Sequence, residues 1–356
     1  MSELLDLPIY GLTQREKERT LLPALAELTL HHRAACPMYG RMLDALGSGD
    51  AFSSLEDLPF LPVTLFKRHR LASVPDEEVF KVLTSSGTTG QAVSRIYLDR
   101  ETANLQANAL AKIMSAMLGP ARLPMILVDA ASILRDRSIF SARAAGIRGM
   151  MTFGRSHFFA LAEDMSLDID GLKQFLAANA GRRVLLFGFT FMVWKHFAPA
   201  VEAAGVRLND AILVHSGGWK KLTDESVDNV TFKRRIGEMT GISSIRDFYG
   251  LAEQVGSVFV EGDDGLLHPP AFAEVVIRDP VSLAPLPAGK VGVAQVISVL
   301  PRSYPGHSLL TEDLAVVHSV DGAGTGYGGK AFSVLGRVPK SELRGCSDTY
   351  AAGRGL

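Results

Sequence analysis

Cysteine is almost missing from this chain: Cys36 and Cys346 are its two, in 356 residues. Two distant cysteines cannot make a disulfide framework. There is no Cys-x-x-Cys, and the nine histidines contain no His-x-x-x-His pair, so the spacing offers no zinc site. An excess of charge is also lacking. With 37 basic and 38 acidic residues the formal net charge is -1, which removes the electrostatic reason for a nucleic-acid or anionic-membrane partner. Long apolar runs are absent too. The longest, such as 124–128 and 291–300, are of strand length, well short of the ~20 residues that span a bilayer. The opening MSELLDLPIYGLTQREKE has no basic segment followed by an apolar one, unlike a signal peptide. These absences together imply a reducing, cytoplasmic setting. No internal repeat is visible.

What remains is the composition of an ordinary globular protein, 47% hydrophobic and 21% charged. Its length suits one large domain or two average ones. Thr13-Gln-Arg-Glu16 is a capping-box pattern, and Leu21, Leu22, Leu25, Leu28 and Leu30 follow with roughly helical spacing until Pro37. Cys36 is read as a packing residue in that helix. The stretch 58–66, with two prolines, reads as extended connecting chain. Strands are expected at 79–83 and 96–98, with Asp99 capping a helix from Glu101 to about Leu118. Strands near 125–128, 184–187 and 211–214 alternate with helices at 172–180, 191–204 and 226–239, with Gly181 and Gly241 as stops. That alternation predicts a mainly parallel sheet with helical crossovers. After residue 270 only strands are expected: 272–277, 291–299, 314–318 and 332–335. They predict a second sheet or small barrel.

Between the first two strands lies Thr84-Ser85-Ser86-Gly87-Thr88-Thr89-Gly90. Small residues let a backbone curl around an anion, and hydroxyl and amide groups donate to phosphate oxygens. The loop lacks the Gly-Lys-Ser/Thr ending of a Walker A motif. Such a composition also describes a plain turn, so the order of residues between two strands carries the phosphate reading.

TSSGTTG resembles the phosphate loop of the adenylate-forming superfamily. Four further segments resemble that superfamily's motifs in the same order: His215-Ser216-Gly217-Gly218-Trp219, Phe248-Tyr249-Gly250-Leu251-Ala252-Glu253, Thr311-Glu312-Asp313, and Gly336-Arg337 with Arg344-Gly345. More narrowly, LPFLPVTLFK, SVPDEEVFKVLTSSGTTGQAVSRIYLDRETA, HSGGWKKL and GRVPKSELRGCSDTY are similar to the acyl-protein synthetases of bacterial bioluminescence, fatty-acid ligases that feed a reductase. Phenylacetate–CoA ligases are a more distant likeness. The resemblance implies an α/β fold. Residues 1–335 would be the adenylating domain, about 270–335 its β-rich subdomain, and 336–356 a hinge-like tail. It also implies ATP and Mg²⁺.

The implied roles are chemically coherent. Attack of a carboxylate on the α-phosphorus of ATP brings two anions together, so charge must be neutralised and the reactants aligned. Ser85, Ser86, Thr88 and Thr89 would hold the departing phosphates, and Glu253 would bind Mg²⁺. Tyr249 would offer a flat face to adenine, which Ser216, Gly217 and Gly218 would let approach the backbone. Asp313 would accept the ribose hydroxyl protons, and Arg337 would reach ribose or phosphate. Each also has a structural reading: Tyr249 as a core aromatic, Glu253 as a helix-start carboxylate, Asp313 as a turn residue, Arg337 as a surface ion pair.

Two departures from the pattern stand out. Gln91-Ala92-Val93-Ser94-Arg95 replaces the usual Pro-Lys-Gly, making Arg95 a substitute cation. The chain ends at Leu356, where the superfamily carries a mobile lysine domain, so that domain is expected to be absent and Lys340, Arg344 or a residue of a partner protein to serve. Cys346 sits in Arg344-Gly-Cys-Ser-Asp. A free cysteine is often just a small buried hydrophobe, but an adjacent arginine favours the thiolate, and the resembled synthetases carry their acyl group as a cysteine thioester. Gly324-Thr-Gly-Tyr-Gly-Gly329 matches a dinucleotide fingerprint but is followed by a strand pattern, so it reads as a loop. Phe153, Phe158, Phe159, Phe187, Phe189, Phe191 and Trp194 line an acyl pocket or form core. The leading expectation is a ligase that forms an acyl-adenylate and transfers the acyl group to Cys346, and then to a reductase-type partner. The alternatives are a CoA ligase and a non-catalytic nucleotide-binding scaffold.

Overall fold

The computed structural model describes residues 2–85, 93–134, 142–218, 227–322 and 326–338. Its α-helices are α1 (Ser2–Leu5), α2 (Gln14–Ala35), α3 (Pro37–Ala45), α4 (Leu65–Arg68), α5 (Arg100–Leu118), α6 (Ala142–Met151), α7 (Ile169–Ala178), α8 (Thr190–Met192), α9 (Ala198–Ala203) and α10 (Asn229–Thr240). The first strands are β1 (Leu61–Pro62), β2 (Lys81–Thr84), β3 (Arg95–Leu98), β4 (Leu123–Ala130), β5 (Gly154–Leu161), β6 (Val184–Phe189), β7 (Ala211–Ser216) and β8 (Ser244–Tyr249). Then come β9 (Phe259–Glu261), β10 (Leu267–His268), β11 (Ala273–Arg278), β12 (Val291–Ser298), β13 (Ser308–Val320) and β14 (Lys330–Arg337). Two compact units divide them. One draws on Met1–Ser85, Ala92–Gly119 and Tyr249–Glu342, and the described part of the other lies within Pro120–Phe248.

In the first unit, β11-β12-β13-β14-β10-β9 lie side by side, with β1 parallel to β13. The pairings β11–β12, β12–β13 and β13–β14 are antiparallel, as expected for strands joined by short turns. The N-terminal helix forms where its sequence signals lie. Thr13 caps α2 through the full capping box with Glu16. Leu21, Leu25 and Leu28 are buried, the spacing of one helix face. Lys17 is also buried. Its ammonium donates to the Pro269 carbonyl at 3.1 Å and faces Glu274 at 3.6 Å, so the charge is compensated rather than stranded. Cys36 is buried between α2 and α3, with Pro37 opening α3. The packing reading of Cys36 stands, but it lies in the break between helices. The segment 58–66 is extended as far as β1, and Leu65 already begins α4.

The second unit is a parallel sheet in the order β8-β7-β6-β4-β5. Strand β6 is buried along its whole length, the mark of a parallel strand covered on both faces. Helices α6, α7, α8–α9 and α10 supply the crossovers, and Asp99, Asp168 and Asp228 cap α5, α7 and α10. Gly241 ends α10 in the left-handed region, at φ +82. The order reverses between β4 and β6, since the chain runs from β5 back past β4. Ligands of open parallel sheets bind at such switch points, beyond the carboxyl ends of the strands. Strands β5, β8, β9 and β10 escaped the sequence reading here and beyond. The π-helical turn Val193–Phe197, which interrupts the expected 191–204 helix, escaped it too. The loop fingerprint near residue 326 does join two strands, β13 and β14, although residues 323–325 lie outside those described.

A buried imidazole pair ties α2 to the first unit's sheet. His32 Nε2 donates to the Pro301 carbonyl, and Nδ1 accepts from Ser73. His307 Nε2 donates to Thr29, whose hydroxyl is spent on the Leu25 carbonyl. The rings stack at 5.0 Å. Burial first, and the neighbouring imidazoles second, hold His32 well below its ordinary pKa and His307 down to about 3. Both are neutral when folded and protonate near 6.5 when unfolded. Unfolding therefore takes up protons below about pH 6.5, and stability falls as pH drops, by roughly 1.4 kcal/mol per pH unit per histidine. Asp247, pushed up to about 6, and Glu253, also raised, oppose this slope, so the test is a difference. Between pH 6.5 and 5, denaturant unfolding of His307→Gln should show a pH slope about one proton shallower than the parent chain. Equal slopes would mean that His307 is not held neutral.

Candidate active site

Two irregularities in adjacent strands create the first unit's polar cluster. Along β13, pairing with β12 skips from Leu310 to Leu314 while the partner advances only from Gln295 to Val293. Thr311-Glu312-Asp313 fill that interruption. Along β14, pairing with β13 skips Leu335, and Gly336 takes φ +130, a conformation that glycine adopts without strain. Bulges bend a strand and re-aim its side chains. Here they bring Asp313 directly opposite Arg337. Arg337 Nε lies 3.5 Å from Asp313 Oδ1, and its Nη1 lies 4.0 Å from Glu312. Tyr249 donates its phenol proton to Asp313 Oδ2 at 2.7 Å. Burial and the facing Asp313 carboxylate hold that phenol protonated well above its usual range. Thr311 accepts the Asp313 N–H at 3.1 Å and donates to the Ala294 carbonyl at 2.8 Å, which fixes the bulge from below. Asp313 is thus a strand residue aimed by a bulge, and not the turn residue of its structural alternative.

Glu253 sits in a 3-10 turn, Ala252–Gln254, and is 7% exposed. Burial raises its pKa, against the Ser94 hydroxyl, its own backbone N–H, Lys67 and Arg337, all of which favour the carboxylate. Ser94 is fully buried at the start of β3, and the Ser85–Ser94 pair closes the hairpin on both sides. Ser85 N–H donates to the Ser94 carbonyl at 3.1 Å, and Ser94 N–H donates to Ser85 Oγ at 2.9 Å. The base of the expected phosphate loop, Thr84 and Ser85, is therefore pinned to Arg95 of the facing strand and to Ser94 just before it. Ser86, Gly87, Thr88, Thr89 and Gly90 lie outside the described residues. Arg95 is exposed on β3. Gly250 stands beside Val258, where a Cβ would come within 3.0 Å.

Lys67 and Ser94 were not singled out as neighbours of Glu253 from the sequence. The Phe66 ring is buried against Tyr304 at 6.1 Å, which anchors α4 and with it Lys67. No local pattern signals such a contact; the charge in LPVTLFK was the one available hint.

Among the described residues no group of three or more His, Cys, Asp or Glu side chains could hold a metal ion. Magnesium needs no such cage when phosphate oxygens and water complete its shell. A single buried carboxylate whose pKa is raised by burial is short of compensating charge, and Glu253 fits that requirement.

In the second unit, Ser216 is the last residue of β7, and Gly217 and Gly218 follow its carboxyl end. Gly217 takes φ +85, and a Cβ there would meet Phe189 at 3.5 Å. His215 is buried, with Nδ1 3.0 Å from Thr190 Oγ1 and 3.8 Å from Asp247. Phe187 packs on Phe189 and Phe248, and Trp194 stacks on Phe232. Phe158 stacks on Phe175 of α7 at 5.5 Å, so this member of the aromatic set is packing. Asp129 and Arg143 form a buried bidentate pair, with Nε to Oδ2 at 2.7 Å. Cys346, Lys340 and Arg344 lie outside the described residues.

Comparison with known proteins bears on this arrangement. A family model described as acyl-protein synthetase, LuxE, matches residues 5–352. Two curated relatives are long-chain-fatty-acid–luciferin-component ligases. That of Vibrio harveyi is 24% identical over 326 residues, covering 87% of this chain and 81% of the relative. That of Aliivibrio fischeri is 22% identical over 321 residues, covering 85% and 80%. Among solved structures, an open conformation of 2-hydroxyisobutyryl-CoA ligase superposes with a TM-score of 0.72 at 20% identity, covering 93% of this chain and 77% of that one. That likeness establishes the α/β fold of the adenylate-forming ligases, and no described helix is long and apolar enough to cross a membrane. With the family model spanning nearly its whole length, the chain belongs to the acyl-protein synthetase (LuxE) family of acid-activating ligases.

Proposed function

We propose that this enzyme activates a carboxylic acid of the fatty class with ATP and carries the acyl group as a thioester on Cys346, from which a reductase-type partner takes it. The observation that carries the ATP half is the contact of Tyr249, Asp313 and Arg337. These residues come from distant segments that the resemblance to the adenylate-forming superfamily assigns to the nucleotide. A phenol, a carboxylate and a guanidinium in contact present a flat face, an acceptor for ribose hydroxyls, and a cation for phosphate.

The chemistry follows from charge. A carboxylate oxygen attacks the α-phosphorus, the bond to the bridging oxygen breaks, and pyrophosphate leaves. Magnesium, when bound, supplies a Lewis acid that neutralises the departing phosphates. Glu253 would hold that cation, while Lys67 and Arg337 lend positive charge to the same region. Hydroxyl and amide groups of the 84–90 loop hold the pyrophosphate oxygens. In the second step the thiolate of Cys346 attacks the acyl carbon, the bond to the phosphate oxygen breaks, and AMP leaves with the electron pair. A thiolate is the only form of cysteine that does this well, and Arg344 favours it.

The two steps separate by mutation. Asp313→Asn should raise the KM for ATP by roughly 10- to 100-fold, the loss expected of a charge-assisted hydrogen bond. An unchanged KM would remove Asp313 from the ribose. Glu253→Gln should depress pyrophosphate exchange by roughly two to three orders of magnitude at ordinary Mg²⁺, and near-normal exchange would end its metal role. Cys346→Ser should keep the exchange but lose hydroxylamine-labile labelling by radioactive fatty acid. Labelling that persists, or acyl-CoA formation without labelling in the parent chain, would replace the cysteine acceptor.

A further inference from the structure

Thr190 is the first residue of α8, immediately beyond the carboxyl end of β6 and beside the switch point of the parallel sheet. It is 6% exposed, and its hydroxyl oxygen meets two groups of the neighbouring strand. One is the Ser216 carbonyl at 3.3 Å, and the other is His215 Nδ1 at 3.0 Å. A carbonyl can only accept, so the single hydroxyl proton goes to Ser216. The same oxygen must then accept the proton carried by His215 Nδ1. Asp247 Oδ1, 3.8 Å from that nitrogen, favours the same tautomer. The imidazole is held on its face as well, against Phe232 at 4.5 Å, which in turn stacks on Trp194 at 5.9 Å. Trp194 belongs to the π-helical turn Val193–Phe197, an irregularity often found beside functional sites.

One hydroxyl therefore joins the end of β6 to the residue from which Gly217, at φ +85, turns the chain. Hydrogen bonds to two adjacent residues leave the strand end little freedom. This is more than is needed to keep β7 in register, because backbone pairing of β7 with β6 and β8 already does that. The two bonds act on the carbonyl and the ring immediately before the glycine pair.

We propose that Thr190 is a positioning residue for ATP. Its hydroxyl fixes the Ser216 carbonyl and the His215 ring, so that the Ser216-Gly217-Gly218 segment is set before the adenine arrives. Preorganisation of this kind lowers the ordering cost of binding. The proposal rests on the reading of that segment as the adenine-side wall. Thr190 itself need not touch the nucleotide.

The test measures ATP binding calorimetrically in the parent chain, Thr190→Val and Thr190→Ser, with thermal unfolding as a control and the KM for the carboxylic acid as a second readout. Valine keeps the shape but can make neither bond. It should weaken ATP binding about tenfold, the scale of a lost buried hydrogen bond, and leave the KM for the acid unchanged. Serine keeps the hydroxyl and should restore ATP binding to within about twofold. If valine binds ATP like the parent, or if serine fails as valine does, the methyl packing is what counts and the positioning role falls. If valine raises both constants alike, the effect is on folding, and the role falls again. A parent chain that binds no ATP would overturn the proposed function itself, and that outcome is distinct from all the others.

Discussion

The contact between Asp313 and Arg337 exists because two strands depart from regular pairing at neighbouring points. In an unbroken antiparallel ladder, side chains alternate strictly between faces. The interruption at 311–313 and the skipped Leu335 release these side chains from that alternation. Tyr249 can then donate to the carboxylate. The arrangement leaves a half-buried acidic group partnered by a phenol and a guanidinium, which suits a ligand bearing both hydroxyls and negative charge. Glu253 depends on the same neighbourhood, since Arg337 is one of the charges that keep its buried carboxyl from being raised further.

Local signals in the sequence read well. The capping box at Thr13, the cap at Asp99, the stop at Gly241 and the alternation of strand and helix from 123 to 240 all correspond to elements of the fold. Each depends on residues within a few positions of one another. The bulges were not legible, because a bulge is a mismatch between two strands and neither strand shows it alone. Nor was β5, whose GRSHFFAL lacks an apolar alternation and whose middle is half exposed at the edge of its sheet. The proline-bearing stretch 58–66 misled for a related reason: α4 is held by burial of Phe66, a tertiary contact.

For the site, the sequence named the parts but could not show how they touch. Tyr249, Glu253, Asp313 and Arg337 were chosen for motifs in their order along the chain, and the first unit brings Tyr249, Asp313 and Arg337 into contact, with Glu253 within the influence of the Arg337 charge. Lys67, Ser94 and Thr190 had no motif to mark them. Lys67 and Ser94 are recognised by what surrounds Glu253, and Thr190 by what its single hydroxyl must satisfy. The histidines teach the same lesson in reverse. His32 and His307 are conspicuous residue types in a chemically active chain, yet both pack in the interior, held neutral by burial.

The central claim is that these residues form an acyl-adenylate from ATP and a carboxylic acid. Isotope exchange of labelled pyrophosphate into ATP reads that step alone, because it needs neither the thiol nor a partner. The account predicts exchange that appears only when a fatty acid is added and that disappears when Mg²⁺ is chelated. Exchange that ignores the acid, or no exchange across a series of fatty acids while ATP still binds, would contradict it.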